Sequence, residues 1–177
     1  MNTKLVTLRQ YLNDVLAKEW IKYFVSSIDA FILFIFQKND NLHLCMNYQD
    51  LNKIIVKNHH SLSLINETLN RLSKIKQFTK LDLKNVYHHF RIQHENEWKT
   101  TFCTHYDHFK YMIMSFNLIN AFIIFQTYIN KILTELLNDF CIVYLNDILI
   151  FFVEKTDHVD HMKQILKRLS VEIMSRI

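Results

Sequence analysis

Apolar positions recur along this 177-residue chain in two rhythms, one helical and one alternating, and each predicts its own elements. Leu5, Leu8, Leu12, Val15, Leu16 and Trp20 keep helical spacing and predict an amphipathic opening helix, with Thr7 and Gln10 as a capping box. Residues 31–36 and 42–47 predict two strands joined by the polar turn 37–41, where Asn and Asp replace the glycine that a tight hairpin prefers. Leu62, Ile65, Leu69 and Leu72 predict a second helix leading into a strand about Asp82, and 86–90 a helical turn after it. Residues 98–104 and 108–114 predict a strand pair about Asp107. A long helix is predicted over 118–137, with Ile119, Phe122, Ile123, Phe125, Ile129, Ile132, Leu133 and Leu136 on core faces. Two short strands then flank Asn146 and Asp147, and 158–169 predicts a closing helix. This order predicts an α+β fold with helices on one face of an antiparallel sheet.

Tyr144-Leu145-Asn146-Asp147 is the most informative stretch, because it lies between the apolar runs 140–143 and 148–152. It predicts a tight hairpin with a carboxamide and a carboxylate at its tip. Two readings are open: Asn-Asp as ordinary turn chemistry, or a charge kept there by function. Asp82 adds a second carboxylate, set among the alternating apolar residues of 78–83. If the two strands pair, Asp82 and Asp147 come together. Polymerases bind two Mg²⁺ ions about 3.5–4 Å apart through such carboxylates and the substrate phosphates.

The strings FTKLDLKNVYHHFRI, EWKTTFCTHYDHFKYMIMSFNLINAFIIFQTYIN and DFCIVYLNDILIF, in that order, resemble the reverse transcriptase of gypsy-type LTR retrotransposons. LHLCMNYQDLNKI near the start resembles it too. The likeness covers roughly residues 8–169, and a domain of 5–177 is expected. It implies the fingers and palm of a right-hand polymerase, an antiparallel palm sheet backed by helices, ending before the thumb, the primer grip and any RNase H region.

The resemblance also implies roles. Asp82 and Asp147 become the carboxylates holding two Mg²⁺ ions, with the backbone carbonyl of Leu83 as a further ligand. Asn146 stands where the family's Tyr-x-Asp-Asp hairpin has its first aspartate, so the site falls from three formal negatives to two. Tyr87 matches the aromatic that packs against the incoming sugar. Phe116 and Asn117 match the Met-Pro-Phe-Gly turn near nucleotide and template, and the Asn117 side chain is expected to obstruct an approach that glycine allows. His43 stands where an arginine would hold the triphosphate, and lacks that permanently charged fork. Lys99 and Gln126 also match family positions, with general roles near template or fold.

Composition sharpens this reading. Average usage predicts about 12 glycines and about 9 prolines at this length, yet the chain has neither. Independent draws would give that joint absence with a probability on the order of 10⁻⁹. Family proline positions carry Ser61, Ser63, Ser115, Phe31 and Phe122, and family glycine positions carry Asp29, Asp40 and Asn117. His43 and Gln49 replace arginines, and Asn47 and Asn146 replace aspartates. All follow from C-to-T or G-to-A changes, as expected of a decayed element copy.

Half of the residues are apolar, enough for a core, so the chain is not of the disordered class. The formal charge of +4 permits nucleic-acid binding without arguing for it. Lys74, Lys76, Lys80 and Lys84 crowd about the Asp82 strand and either offset phosphate charge or form a solvated surface. Cys45, Cys103 and Cys141 are too widely spaced for a metal motif and read as reduced, mostly buried thiols. His158 and His161 beside Asp157 and Asp160 read as an exposed helical turn rather than a metal site. Charged residues break any signal-peptide core after Met1, and the uncharged stretch 111–130 is too polar for a membrane helix. The expected location is intracellular, in a cytoplasmic retrotransposon particle or the nucleus.

The function expected from the resemblance is RNA-directed DNA polymerisation within a retrotransposon polyprotein of the kind that supports DNA integration. Its partners would be a primed RNA or DNA template, deoxynucleoside triphosphates and other polyprotein regions. This copy is expected to be impaired. The alternatives are a catalytically dead nucleic-acid-binding remnant and a relic without a molecular role.

Overall fold

The computed structural model describes residues 3–36, 42–58, 73, 75, 78–83, 86–137, 139–151 and 155–174. In chain order the elements are helix α1 (Thr3–Ala17), strands β1 (Ile21–Tyr23), β2 (Ile32–Phe36) and β3 (Leu42–Met46), helix α2 (Gln49–Ile54) and strand β4 (Phe78–Asp82). Two 3₁₀ segments (Val86–His89, His94–Thr100), strands β5 (Phe102–Cys103) and β6 (His108–Tyr111), helix α3 (Ala121–Ile132), strands β7 (Cys141–Tyr144) and β8 (Asp147–Phe151) and helix α4 (Lys155–Met174) follow. They form two compact units, Met1–Lys57 with Phe90–Ala121, and Asn58–His89 with Phe122–Ile177.

In the first unit, α1 buries Leu8, Leu12 and Val15, the helical stripe expected from spacing. Thr7 lies inside this helix, so the expected capping box is absent. The end of α1 is defined better than its start. Glu19 N–H bonds Leu16 O at 3.0 Å and Trp20 N–H bonds Val15 O at 3.0 Å, the paired bonds of a Schellman motif. Glu19 takes the left-handed position with φ 54°. Glycine usually fills it, and a side chain there costs about 1–2 kcal/mol.

Strands β1, β6 and β5 form one antiparallel sheet, and β2 pairs with β3 from Ile32↔Met46 to Phe36↔Leu42. Phe102, Phe109 and Tyr111 join Leu44, Met46 and the α1 stripe in the core. The strand predicted over 98–104 is only β5, and Trp98–Thr100 are 3₁₀. Thr100 and Thr101 donate their hydroxyls to Glu97 O at 2.7 Å and Trp98 O at 2.6 Å, which favours the turn over extended backbone.

The second unit is built on the antiparallel sheet β4-β8-β7. Burial alternates strictly along β8, with Ile148 and Ile150 fully buried and Asp147, Leu149 and Phe151 on the other face. Helices α3 and α4 contribute Phe125, Ile129, Ile165 and Leu169 to the buried side, and Leu133 follows directly after α3. Thr79 Oγ1 lies 3.0 Å from His158 Nε2, tying β4 to α4.

The helix predicted over 118–137 starts at Ala121, because Leu118 N–H to Ser115 O and Ala121 N–H to Leu118 O close tighter turns first. His158 and His161 are not on an exposed turn: both are half-buried, and the His161 ring stacks on Phe140 at 3.9 Å. All three cysteines are free, with Cys141 buried and Cys45 and Cys103 half-buried. Among the described residues no helix is long and apolar enough to cross a membrane. The predicted turn 37–41 and the helix over 62–72 lie outside the described residues.

Candidate active site

The β4-β8-β7 sheet sets the site's geometry through register alone. Asp82 and Asp147 are direct partners across the β4–β8 ladder. Direct partners project on the same face with Cβ atoms about 4.5–5.5 Å apart. This is the exposed face, and Tyr144 pairs with Asp147 from the other side. Leu83 N–H bonds Asn146 O at 2.9 Å and extends the ladder one step.

The hairpin is tighter than its sequence suggests. Asp147 already belongs to β8, so only Leu145 and Asn146 turn. Leu145 has φ 53° and Asn146 does not share that sign, so the one positive φ of the turn falls on its first central residue, where glycine is usual. The left-handed residue is therefore Leu145, and ordinary Asn-Asp turn chemistry does not explain this loop. Gln126 holds the loop instead. Its Oε1 accepts from Leu145 N–H at 2.9 Å, while its Nε2 donates to Val143 O at 3.2 Å and Asn130 Oδ1 at 2.9 Å. The amide is buried at 3% exposure, so these bonds replace those it would make to water. Sequence gave Gln126 only a general role; its one signal was an amide inside the apolar α3 run.

Tyr87 donates its hydroxyl to Asn146 Oδ1 at 2.8 Å, and its ring meets Phe125 edge-on at 5.6 Å. Partial burial raises the Tyr87 pKa, and the bond to Asn146 opposes that rise. Lys80, two residues before Asp82 on the same face, places Nζ 2.7 Å from Asp147 Oδ2. That hydrogen bond, with the charge of Asp147 and then Asp82, raises the lysine pKa. Lys74, Lys76 and Lys84 lie outside the described residues.

Asp82, Asp147, Asn146 and Tyr87 thus gather in one unit, around two carboxylates and an amide, with Leu83 the next residue along the ladder. Hard oxygen donors of this kind suit Mg²⁺. Among the described residues no group of three His, Cys, Asp or Glu side chains forms a metal cluster.

The remaining predicted residues belong to the other unit. Phe116 is half exposed. Asn117 does not project as an obstruction: its Nδ2 donates to Met46 O at 2.8 Å and to Cys45 Sγ at 2.9 Å, folding the side chain onto β3. Asn52 Nδ2 donates to Asn117 O at 2.8 Å and fixes the same turn. His43 pairs with Ile35 in the β2–β3 ladder. Lys99 Nζ donates to Asn96 Oδ1 at 2.6 Å.

Residues 37–175 match the reverse transcriptase (RNA-dependent DNA polymerase) family. An RNA-directed DNA polymerase homolog from Oenothera berteroana is 34% identical over 125 residues, which are 71% of this chain and 88% of that protein. The retrovirus-related Pol polyprotein from transposon 297 of Drosophila melanogaster is 35% identical over 125 residues, 71% of this chain but only 12% of the polyprotein. Foamy viral protease-reverse transcriptase, solved with dsDNA, aligns over 96% of this chain and 35% of its own with a TM-score of 0.82 at 17% identity. Solved with an RNA/DNA hybrid, it aligns over 96% and 23%, with a TM-score of 0.76 at 19% identity. These structures share the α+β fold with antiparallel sheets expected of fingers and palm. With the family matched over most of its length and a 34% identical relative spanned almost end to end, this chain belongs to the reverse transcriptases.

Proposed function

We propose that residues 5–177 are the fingers and palm of a gypsy-type LTR retrotransposon reverse transcriptase whose nucleotidyl-transfer site has decayed. The carrying observation is the direct pairing of Asp82 with Asp147 on the exposed sheet face, with a neutral Asn146 beside them. In the reaction, the primer 3′ oxygen forms a bond to the α-phosphorus of a deoxynucleoside triphosphate as the bond to pyrophosphate breaks. Two Mg²⁺ ions, when bound, would stabilise the attacking and leaving oxygens of that in-line displacement.

The residues fit such ions, because Asp147, directly opposite Asp82, already draws one cation, the Lys80 ammonium, to 2.7 Å. Asp82, Asp147 and the Leu83 carbonyl would hold them. Asn146 offers an oxygen without charge, and that oxygen already accepts from Tyr87. A weakening of about 4 kcal/mol in transition-state stabilisation slows chemistry roughly a thousandfold. Histidine at position 43 lacks the permanently charged fork of an arginine, so nucleotide affinity falls as well. The partners are a primed RNA or DNA template and deoxynucleoside triphosphates, in an intracellular setting and beside other polyprotein regions.

Primer extension on a primed RNA template with Mg²⁺ tests this. Little extension is expected from the chain itself, more from Asn146→Asp, and none once Asp82→Asn is added. Extension that survives Asp82→Asn overturns the assignment. The neutral Asn146 also favours a second reading, a nucleic-acid-binding remnant, which predicts salt-dependent binding to an RNA–DNA hybrid without extension.

A further inference from the structure

We propose that Lys80 is the resident counter-cation of the Asp82–Asp147 pair, and that a divalent cation must displace its ammonium from Asp147 before the pair takes up metal. Lys80 then sets how much metal is needed to fill the site. The inference rests on the metal-holding reading of these two carboxylates.

Register explains why this lysine is positioned for the task. Lys80 and Asp82 are two residues apart on β4 and share a face. The direct cross-strand partner of Lys80 is Leu149, and Asp147 lies on the diagonal, which a long side chain spans. Lys80 is also the only cation among the described residues of this face, whose other members are Phe78, Asp82, Ile142, Tyr144, Asp147, Leu149 and Phe151. Without it, two like charges would stand directly opposite one another, a destabilising arrangement.

The two cations compete for one oxygen. The ammonium sits 2.7 Å from Asp147 Oδ2. Mg²⁺ bonds carboxylate oxygen at about 2.0–2.1 Å, so both on that oxygen would lie within about 5 Å of each other. Their repulsion favours one occupant. Lys80 can yield, since its side chain is 54% exposed and its stem can carry the charge into water.

The test is Mn²⁺ binding to the full chain, read from the electron paramagnetic resonance signal of free Mn²⁺, together with melting without metal. Lys80→Gln and Lys80→Met, which each remove the charge, are expected to bind Mn²⁺ about two- to fivefold more tightly, the scale of an exposed ion pair. Both are expected to melt lower without metal and to regain more on Mn²⁺ addition. Lys80→Arg, which keeps the charge, is expected to bind like the unaltered chain. Equal or weaker binding by the charge-removing variants overturns the role of Lys80, provided Asp147→Asn abolishes binding. Binding that ignores both Asp82→Asn and Asp147→Asn, or that is absent from every variant, overturns the metal reading itself.

Discussion

Tyr87 and Asn146 are joined by a hydroxyl-to-amide hydrogen bond of 2.8 Å, donated by the tyrosine. The acceptor is the side-chain oxygen, so an aspartate at position 146 could accept the same bond without moving the hairpin, and would strengthen it by carrying charge. Asn146→Asp is therefore expected to fold normally and to raise the rate of primer extension by about tenfold to a thousandfold. On the proposed reading, rescue should stay below the activity of an intact enzyme, because His43 and Ser115 are further departures from the family pattern. Single-turnover extension on a primed RNA template measures it; an unchanged rate would show that the amide is not what limits this site.

Gln126 clasps both sides of the same hairpin, through Leu145 N–H and Val143 O. Gln126→Ala leaves a backbone donor and acceptor unpaired next to a cavity, at a cost of about 1–3 kcal/mol. Urea denaturation should register that loss, and Mn²⁺ affinity should fall with it, because Asp147 is the first residue beyond the clasped turn. Lost stability with unchanged affinity would confine Gln126 to the fold.

What could be read from sequence followed from short-range periodicity. The β7–β8 hairpin, the Asp82 strand and the α1 stripe were legible because one residue spacing determines which side chains are buried. Trp98–Thr100 were misread as strand because hydroxyls bonding to their own backbone leave no periodic trace. The clasp by Gln126 was hidden for a different reason: its partners lie 17 and 19 residues away. His158 and His161 looked solvated because charge surrounds them in sequence, whereas the fold turns them toward Thr79 and Phe140. Register made the Asp82–Asp147 pairing specific, where the sequence offered only two separated acids.

Leu145 holds φ 53° in a chain without glycine. Left-handed backbone costs a non-glycine residue about 1–2 kcal/mol, and glycine's larger unfolded-state entropy returns about 0.5–1 kcal/mol of that. Leu145→Gly is expected to raise stability by up to about 1 kcal/mol, seen as a higher urea midpoint with an unchanged slope. A lower midpoint would mean that leucine's contacts outweigh the strain.

Asn117 reverses a simple expectation about restoring the family residue. Its amide bonds Met46 O and Cys45 Sγ, and its φ is not positive, so the position does not require glycine. Asn117→Gly should therefore destabilise the chain, by about 1 kcal/mol, as the Met46 carbonyl keeps Tyr48 N–H but loses its side-chain donor. Thermal melting decides: a rise in melting temperature would show that the side chain strains its turn.

High pH should unfold this protein through protons its core will not release. Burial pushes the Cys141 thiol from 9.0 to about 12, and burial likewise raises Tyr11, Tyr48 and Tyr111. A raised folded-state pKa makes a contribution that is complete below the unfolded value and disappears as pH climbs through the folded one. For Cys141 that window runs from pH 9.0 to about 12, where the unfolded thiol ionises and the folded thiol does not. The tyrosines add a loss of the same sign at higher pH. Melting temperature should accordingly fall steadily above about pH 9, and Cys141→Ala should flatten the first part of that decline. A melting temperature that holds level through pH 11 would mean that the thiol and the tyrosines reach solvent in the folded chain.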